Sequence, residues 1–537
     1  MEGPKHEQMM SLAHLGLLIV AAVPLWLVLG FDGRLHWDEP QYLYAGAYFT
    51  FAQVIAGDFQ PSLIPGFTTS RIAHVALINW MTGSLGIGAQ LVALVMVLYV
   101  ALLLIFFFVV YVVLRELTVP PTEATLATLA VMFSPIGLYL AWKTLPDVPA
   151  LMWSSIAVLA AIRLVGDRRA WVWFPIGMLA LAMTALTKHV LVWTFVSFAA
   201  AAIIAYPVGM VRARLLGIVV ALSAGSVVVF AAVLTIAGFE LTSFLRFLAL
   251  ASVNAEPLAA RALNLATTFG LLWVVLLIAA FHQDRPLTRF FWVWFAIATL
   301  PFLIIVPRIE IRYLAPALLP LAGLAFLSLD LLRHRLSGLS LHPRSMVLAL
   351  AIFIAAEGLS SRSVQALTAH EVEVTSLHAL LGRLDDAFGP GRYAVVTPGE
   401  YSTFLYLRMV YPDRPVYDAF DPRRIGHPEW SSGQELFFAG RILRSIDQLR
   451  AIDKQLVYVG FPEAMPVANL RRLASLLPNT IGEPLTRKLD SLGTWEQLSL
   501  SWMWDEPDLS FELMDEVGNY HVYQVILPAT ATRDGRS

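Results

Sequence analysis

The sequence predicts an α-helical polytopic membrane protein of about eleven transmembrane helices, followed by a C-terminal extracytoplasmic α/β domain. Three observations carry that expectation. The 537 residues are 58% hydrophobic and only 14% charged, whereas soluble domains carry about 25% charged residues. The charges are unevenly spread, 36 of Asp, Glu, Lys and Arg in residues 1–359 and 40 in residues 360–537. A hydrocarbon core of about 30 Å also asks for roughly 20 apolar residues per helix. That length rule gives candidate spans at 12–31, 91–114, 124–141, 147–165, 171–187, 190–206, 215–237, 263–281, 290–306, 311–332 and 345–359. The chain thus divides into a membrane domain, 1–359, and a soluble domain, 360–537.

The elements follow in order. The first span has a long apolar stretch and no small-residue cleavage site before Asp32, so it reads as a retained helix. Lys and Arg in short loops favour the cytoplasmic side. With the N-terminus inside, Lys5, Arg115, Arg163, Arg168, Arg169, Arg212, Arg214, Arg285, Arg289, Arg333, Arg335 and Arg344 fall inside, and fewer cations fall outside. The expected location is the plasma (inner) membrane, multi-pass. The first outer loop, 32–90, is long for a helix–helix connection. Its segments Gln41 to Ala56 and Arg71 to Thr82 are apolar and aromatic but too short to span, which suits interfacial helices. In the tail, 393–397, 455–460 and 520–527 read as strands, and 400–411, 435–453 and 466–477 as helices.

Composition also excludes. A net charge of −2 offers no basic excess for nucleic acid. The absence of cysteine removes disulfides, thiolate metal sites and a cysteine nucleophile. Neither HxxxH nor DxD spacing occurs, so no metal or other cofactor is expected.

Charges near a membrane core are costly and face a cavity or a partner. Here they cluster on the outer side: Asp38 and Glu39 after the first span, Lys143 and Asp147 in KTLPDVP, Lys188 and His189 in LTKHV, and Arg308, Glu310 and Arg312 in PRIEIRYL. Carboxylates that remove a proton and cations that neutralise a phosphate leaving group would both work at such a surface. Plainer readings stand beside this one. An acid pair caps a helix, Lys143 and Lys188 snorkel, Arg308 and Arg312 anchor a helix end, His189 sits in a loop, and Trp37 is an interfacial anchor.

The order HWDEPQYLYAGAYF, PDVPAL, LTKHVLVW and RYLAPALLPLAGLA, over residues 12–332, resembles the polytopic GT-C glycosyltransferases. Within them it is most similar to the branch of aminoarabinose transferases and protein O-mannosyltransferases. The resemblance implies transfer of a sugar from a polyprenyl-phosphate-linked donor to a lipid, glycan or protein acceptor on the outer face, by a single inverting displacement. It implies Asp38 as the general base, Glu39 as its orienting neighbour, Asp147 as a nearby acid, and Lys188 and Arg312 at the lipid phosphate. Lys143, His189, Arg308 and Trp37 join the candidate substrate contacts. Pro40 after the acid pair departs from the pattern. A transporter, or a sensor or scaffold acting through the tail, are the competing readings.

Overall fold

The structure is a computed structural model. Besides isolated positions it describes residues 34–36, 39–48, 71–141, 143–166, 169–205, 210–236, 272–282, 285–304, 311–336, 371–397, 401–419, 441–460, 501–518 and 520–528. The first loop supplies β1 (Arg34–His36), α1 (Glu39–Tyr48) and α2 (Ile72–Leu85). The membrane helices follow as α3 (Ala89–Glu116), α4 (Pro121–Met132), α5 (Pro135–Leu140), α6 (Asp147–Val165), α7 (Ala170–Lys188) and α8 (Trp193–Ala205). The series ends with α9 (Met210–Ile236), α10 (Leu272–Ala279), α11 (Arg285–Ile304) and α12 (Leu318–Leu336).

Among the described residues, five helical stretches are long and apolar enough to cross a membrane: Ala89–Glu116, Asp147–Val165, Ala170–Ala205, Arg212–Val233 and Arg312–Arg335. The chain is a multi-pass membrane protein. The candidate span at 345–359 lies outside the described residues, and of 12–31 only isolated helical positions are described. Three other spans are not the plain helices expected. The run 124–141 is split into α4 and α5, because Pro135 has no amide to continue the helix and Ser134 caps the new one, accepting from the Gly137 amide at 3.2 Å. Between α7 and α8 the chain passes through a 3-10 turn, His189–Val192, for which Lys188 adopts an extended backbone (φ −160°, ψ 97°). The run 311–332 opens as a 3-10 stretch, Ile311–Ala317, that contains Pro316.

Polar side-chain pairs mark the two ends of the bundle. At one end Arg163 meets Glu116 at 3.0 Å, His282 meets Asp330 at 2.8 Å, and Arg333 meets Glu123. The first residue of α6 and the last of α7 meet at the other end. There α1 packs on α2 so closely that a Cβ at Gly46 would lie 2.5 Å from Ile78 Cβ, while Asn79 Nδ2 donates to the Gly46 carbonyl at 3.0 Å. Gly46→Ala is therefore expected to destabilise by about 1–3 kcal/mol. Gly83→Ala, on an open face of α2, is expected to be neutral or slightly stabilising. Melting of the purified variants in detergent distinguishes the two.

The C-terminal domain is β-rich. It runs β2 (Glu371–Glu373), α13 (Val374–Phe388), β3 (Tyr393–Thr397), α14 (Tyr401–Val410), β4 (Val416–Asp418), α15 (Ile446–Arg450), β5 (Gln455–Gly460), β6 (Ser510–Val517) and β7 (Tyr520–Ile526). The sheet order is β4-β3-β5-β7-β6, with β4, β3 and β5 parallel and β6 and β7 antiparallel to their neighbours. Alternation sends Tyr393 and Val395 into a core continuous with the membrane helices, and Ala394 and Val396 into a separate core with Tyr458 and Trp502. The helix expected over 435–453 is, in its described part, only the five residues of α15, started by the Ser445 cap. The helix expected at 466–477 lies outside the described residues. Strand β6 carries Glu512, Asp515 and Glu516 on an exposed edge, so it lacks an apolar signature.

In this domain His378 lies between two hydroxyls, with Nε2 2.8 Å from Tyr406 and Nδ1 bonded to Tyr411, whose ring has Arg414 4.9 Å above it. Burial holds the imidazole below its usual value of 6.5. The folded state thus resists protonation: this contribution to stability is whole above pH 6.5 and is lost as pH falls through the lower folded value. Thermal melts between pH 7.5 and 5 should show a declining Tm, with a shallower slope in His378→Gln.

Candidate active site

Glu39 is the first residue of α1 and is fully buried. Its carboxylate fits the helix N-terminus, as a plain cap would. It also reaches across the fold: Oε1 accepts from Thr144 Oγ1 at 2.8 Å and from the Thr144 amide. Thr144 belongs to the stretch 143–146 between α5 and α6, so this bond fixes the start of α1 against the start of α6.

Asp147 opens α6, again at a helix N-terminus, with no exposure to solvent. Its Oδ1 accepts from Lys188 Nζ at 2.6 Å, a charge-assisted bond between two buried groups. The other oxygen, Oδ2, is buried without a hydrogen-bond partner among the described residues.

Lys188 Nζ lies 5.1 Å from the centre of the Tyr313 ring, and Arg312 Cζ lies 5.3 Å from the same ring. Tyr313 is therefore shared by two cations. Both come to one place because the 3-10 stretch at 311–317 packs beside α5 and α6. Arg71, just before α2, is also buried. Its guanidinium stands 5.7 Å from the Tyr42 ring centre. Tyr42 in turn meets His74 edge-on at 4.9 Å, and His74 Nδ1 is hydrogen-bonded to the Tyr99 hydroxyl. Lys143 is buried 5.7 Å from the Tyr139 ring centre.

Beside these charges is an apolar cavity of about 630 Å³ between α2, α3, α6 and α7. Its wall includes His74, Pro149 two residues after Asp147, and Thr187 one residue before Lys188. The apolar space thus borders the stretches of chain that carry Asp147 and Lys188.

Of the residues nominated by sequence, Glu39, Lys143, Asp147, Lys188, His189 and Arg312 all lie in this region. Trp37, Asp38 and Arg308 fall outside the described residues. Sequence reasoning missed Arg71, His74, Thr144 and Tyr313 as members of the site. Arg71 was the strongest available signal, a cation opening an interfacial helix. The other three, a histidine, a threonine and a tyrosine, are residue types that carry no fixed charge and occur freely at membrane interfaces. Among the described residues, no three His, Asp or Glu side chains gather where they would share a metal ion.

A helical bundle with a broken helix at a buried ion pair and a β-rich C-terminal domain makes this chain a polytopic membrane protein with a fold seen before in solved structures. Two solved structures of ArnT from Cupriavidus metallidurans share that fold. The apo form has a TM-score of 0.53 at 15% identity, covering 94% of this chain and 97% of that one. The form bound to undecaprenyl phosphate has a TM-score of 0.52 at 14% identity, with the same coverage, 94% and 97%. No family model matches the sequence, and no curated protein matches it by sequence.

Proposed function

We propose that this chain is a glycosyltransferase that moves a sugar from a polyprenyl-phosphate-linked donor to an acceptor hydroxyl, with residues 1–359 housing the reaction and residues 360–537 forming an extracytoplasmic domain. The observation that carries the reading is the joining of buried cations to an apolar cavity. Lys188, Arg312 and Arg71 suit a phosphate, and the cavity suits the first part of an isoprenoid tail. The undecaprenyl phosphate bound by the protein of like fold supports the same class of carrier.

In this mechanism Asp38 takes the proton from the acceptor hydroxyl as its oxygen attacks the anomeric carbon from the face opposite the phosphate. The anomeric carbon–oxygen bond breaks, and polyprenyl phosphate leaves with the electron pair. Lys188 and Arg312 stabilise the charge developing on that phosphate. Glu39, fixed by Thr144, orients the sugar or acceptor. Asp147 holds Lys188 in place, and inversion follows from the single displacement. The N-terminus is assigned to the cytoplasm by the Lys and Arg bias, and the acceptor, a lipid, glycan or protein, is met on the opposite face.

Arg312→Ala tests the phosphate assignment. Losing a charged hydrogen bond of about 1.5–3 kcal/mol predicts a rise in KM for the lipid donor of roughly 10- to 100-fold. The KM for the acceptor is expected to change little, and an unchanged donor KM would remove Arg312 from the phosphate site.

A further inference from the structure

The C-terminal domain is joined to the start of the first loop by backbone pairing. Strand β2 runs antiparallel to β1, with Arg34 opposite Glu373, Leu35 opposite Val372 and His36 opposite Glu371. Two residues, Trp37 and Asp38, separate the end of β1 from the start of α1. Helix α14 of the same domain packs on α1. Phe404, Leu405 and Tyr406 of α14 belong to one buried core with Tyr42, Leu43 and Tyr44 of α1. The dipeptide that contains Asp38 is thus flanked by two elements, and the C-terminal domain grips both. A domain merely tethered to the bundle would show neither contact.

We propose that the C-terminal domain is a clamp that positions Glu39 for catalysis, with β2 holding β1 and α14 holding α1, the helix that Glu39 opens. This rests on the transferase reading for the role of Glu39, though the clamp itself rests on the strand register and the helix packing. Residues of β2 and α14 are positioning residues. They act on where the Glu39 carboxylate stands, and the donor phosphate is bound elsewhere, at Lys188 and Arg312. Weakening the clamp should therefore lower kcat and spare the donor KM, because a displacement of about 1 Å at the reacting groups costs as much as 10²-fold.

Two full-length variants test it. Val372→Pro combined with Glu373→Pro removes whichever of these adjacent β2 amides faces β1. Faster amide exchange is expected across Glu39–Tyr48, with exchange across Asp147–Val165 unchanged and kcat reduced by about 10- to 100-fold at a donor KM within twofold of native. Leu35→Cys combined with Val372→Cys places two thiols opposite each other in a chain that has no other cysteine. Antiparallel partners lie about 4.5–5.5 Å apart between Cα atoms, within disulfide range. The oxidised form should crosslink fully and retain native transfer.

Unchanged exchange in α1, unchanged kcat in the proline variant, failure to crosslink, or activity lost on oxidation and regained on reduction would each overturn the clamp. Should the native chain transfer no sugar, the transferase reading fails, and the exchange and crosslinking results still decide whether the domain holds α1.

Discussion

Asp38→Asn is expected to lower kcat for sugar transfer by about 10²–10⁴-fold, the range general base catalysis usually contributes. The amide has nearly the shape of the carboxylate and cannot take up the acceptor proton, so donor KM should stay within a few fold. Glu39 gives a contrast because its structural role is visible. Glu39→Gln keeps a carbonyl oxygen for the Thr144 amide and hydroxyl, and its loss should be smaller. Glu39→Ala strands a buried amide, which costs about 1–3 kcal/mol of stability. Single-turnover measurements with saturating lipid donor separate the cases. Native kcat in Asp38→Asn would remove it as the base.

Lys188→Met is expected to abolish transfer and to destabilise the protein by about 3–5 kcal/mol, because Asp147 would remain buried without its cation. Stability and function should then come apart. In Lys188→Met combined with Asp147→Leu, the buried charges are replaced by apolar groups of similar size, an exchange that is often neutral or stabilising. The double variant should melt close to the native protein and still transfer nothing. A double variant with native activity would reduce the pair to a structural contact. Melting in detergent and donor-dependent transfer, measured on the same preparations, decide between these outcomes.

The membrane helices were legible where apolar residues run without interruption, as in Ala89–Glu116. They were misread where a local device overrides hydropathy. Ser134 and Pro135 cut one expected span in two, whereas the break at Lys188 falls where the expected spans 171–187 and 190–206 part, and only its 3-10 form is invisible to hydropathy. Scarcity made the charged residues conspicuous, which is why Glu39, Asp147, Lys188 and Arg312, which the structure places in one region, stand out in the sequence. Thr144, Tyr313 and His74 were not, since their importance comes only from what they meet: a carboxylate 105 residues away in the first case, two cations in the second, a buried tyrosine hydroxyl in the third. The pairing of β1 with β2 was equally hidden. Three-residue strands carry too little alternation to register, and nothing in either segment points to a partner more than 300 residues distant.

A lipid-phosphate sugar donor seated on the cation cluster and the apolar cavity must leave a trace in the cell's lipids. The most direct measurement is mass spectrometry of the polyprenyl-phosphate lipids from cells with and without this protein, followed by incubation of the accumulated lipid with the purified chain in bilayers. The account predicts that a polyprenyl-phosphate sugar accumulates without the protein, and that the purified chain consumes it, releasing polyprenyl phosphate in step with glycosylated acceptor. Identical lipid profiles, and no release of polyprenyl phosphate by the purified native chain, would contradict it.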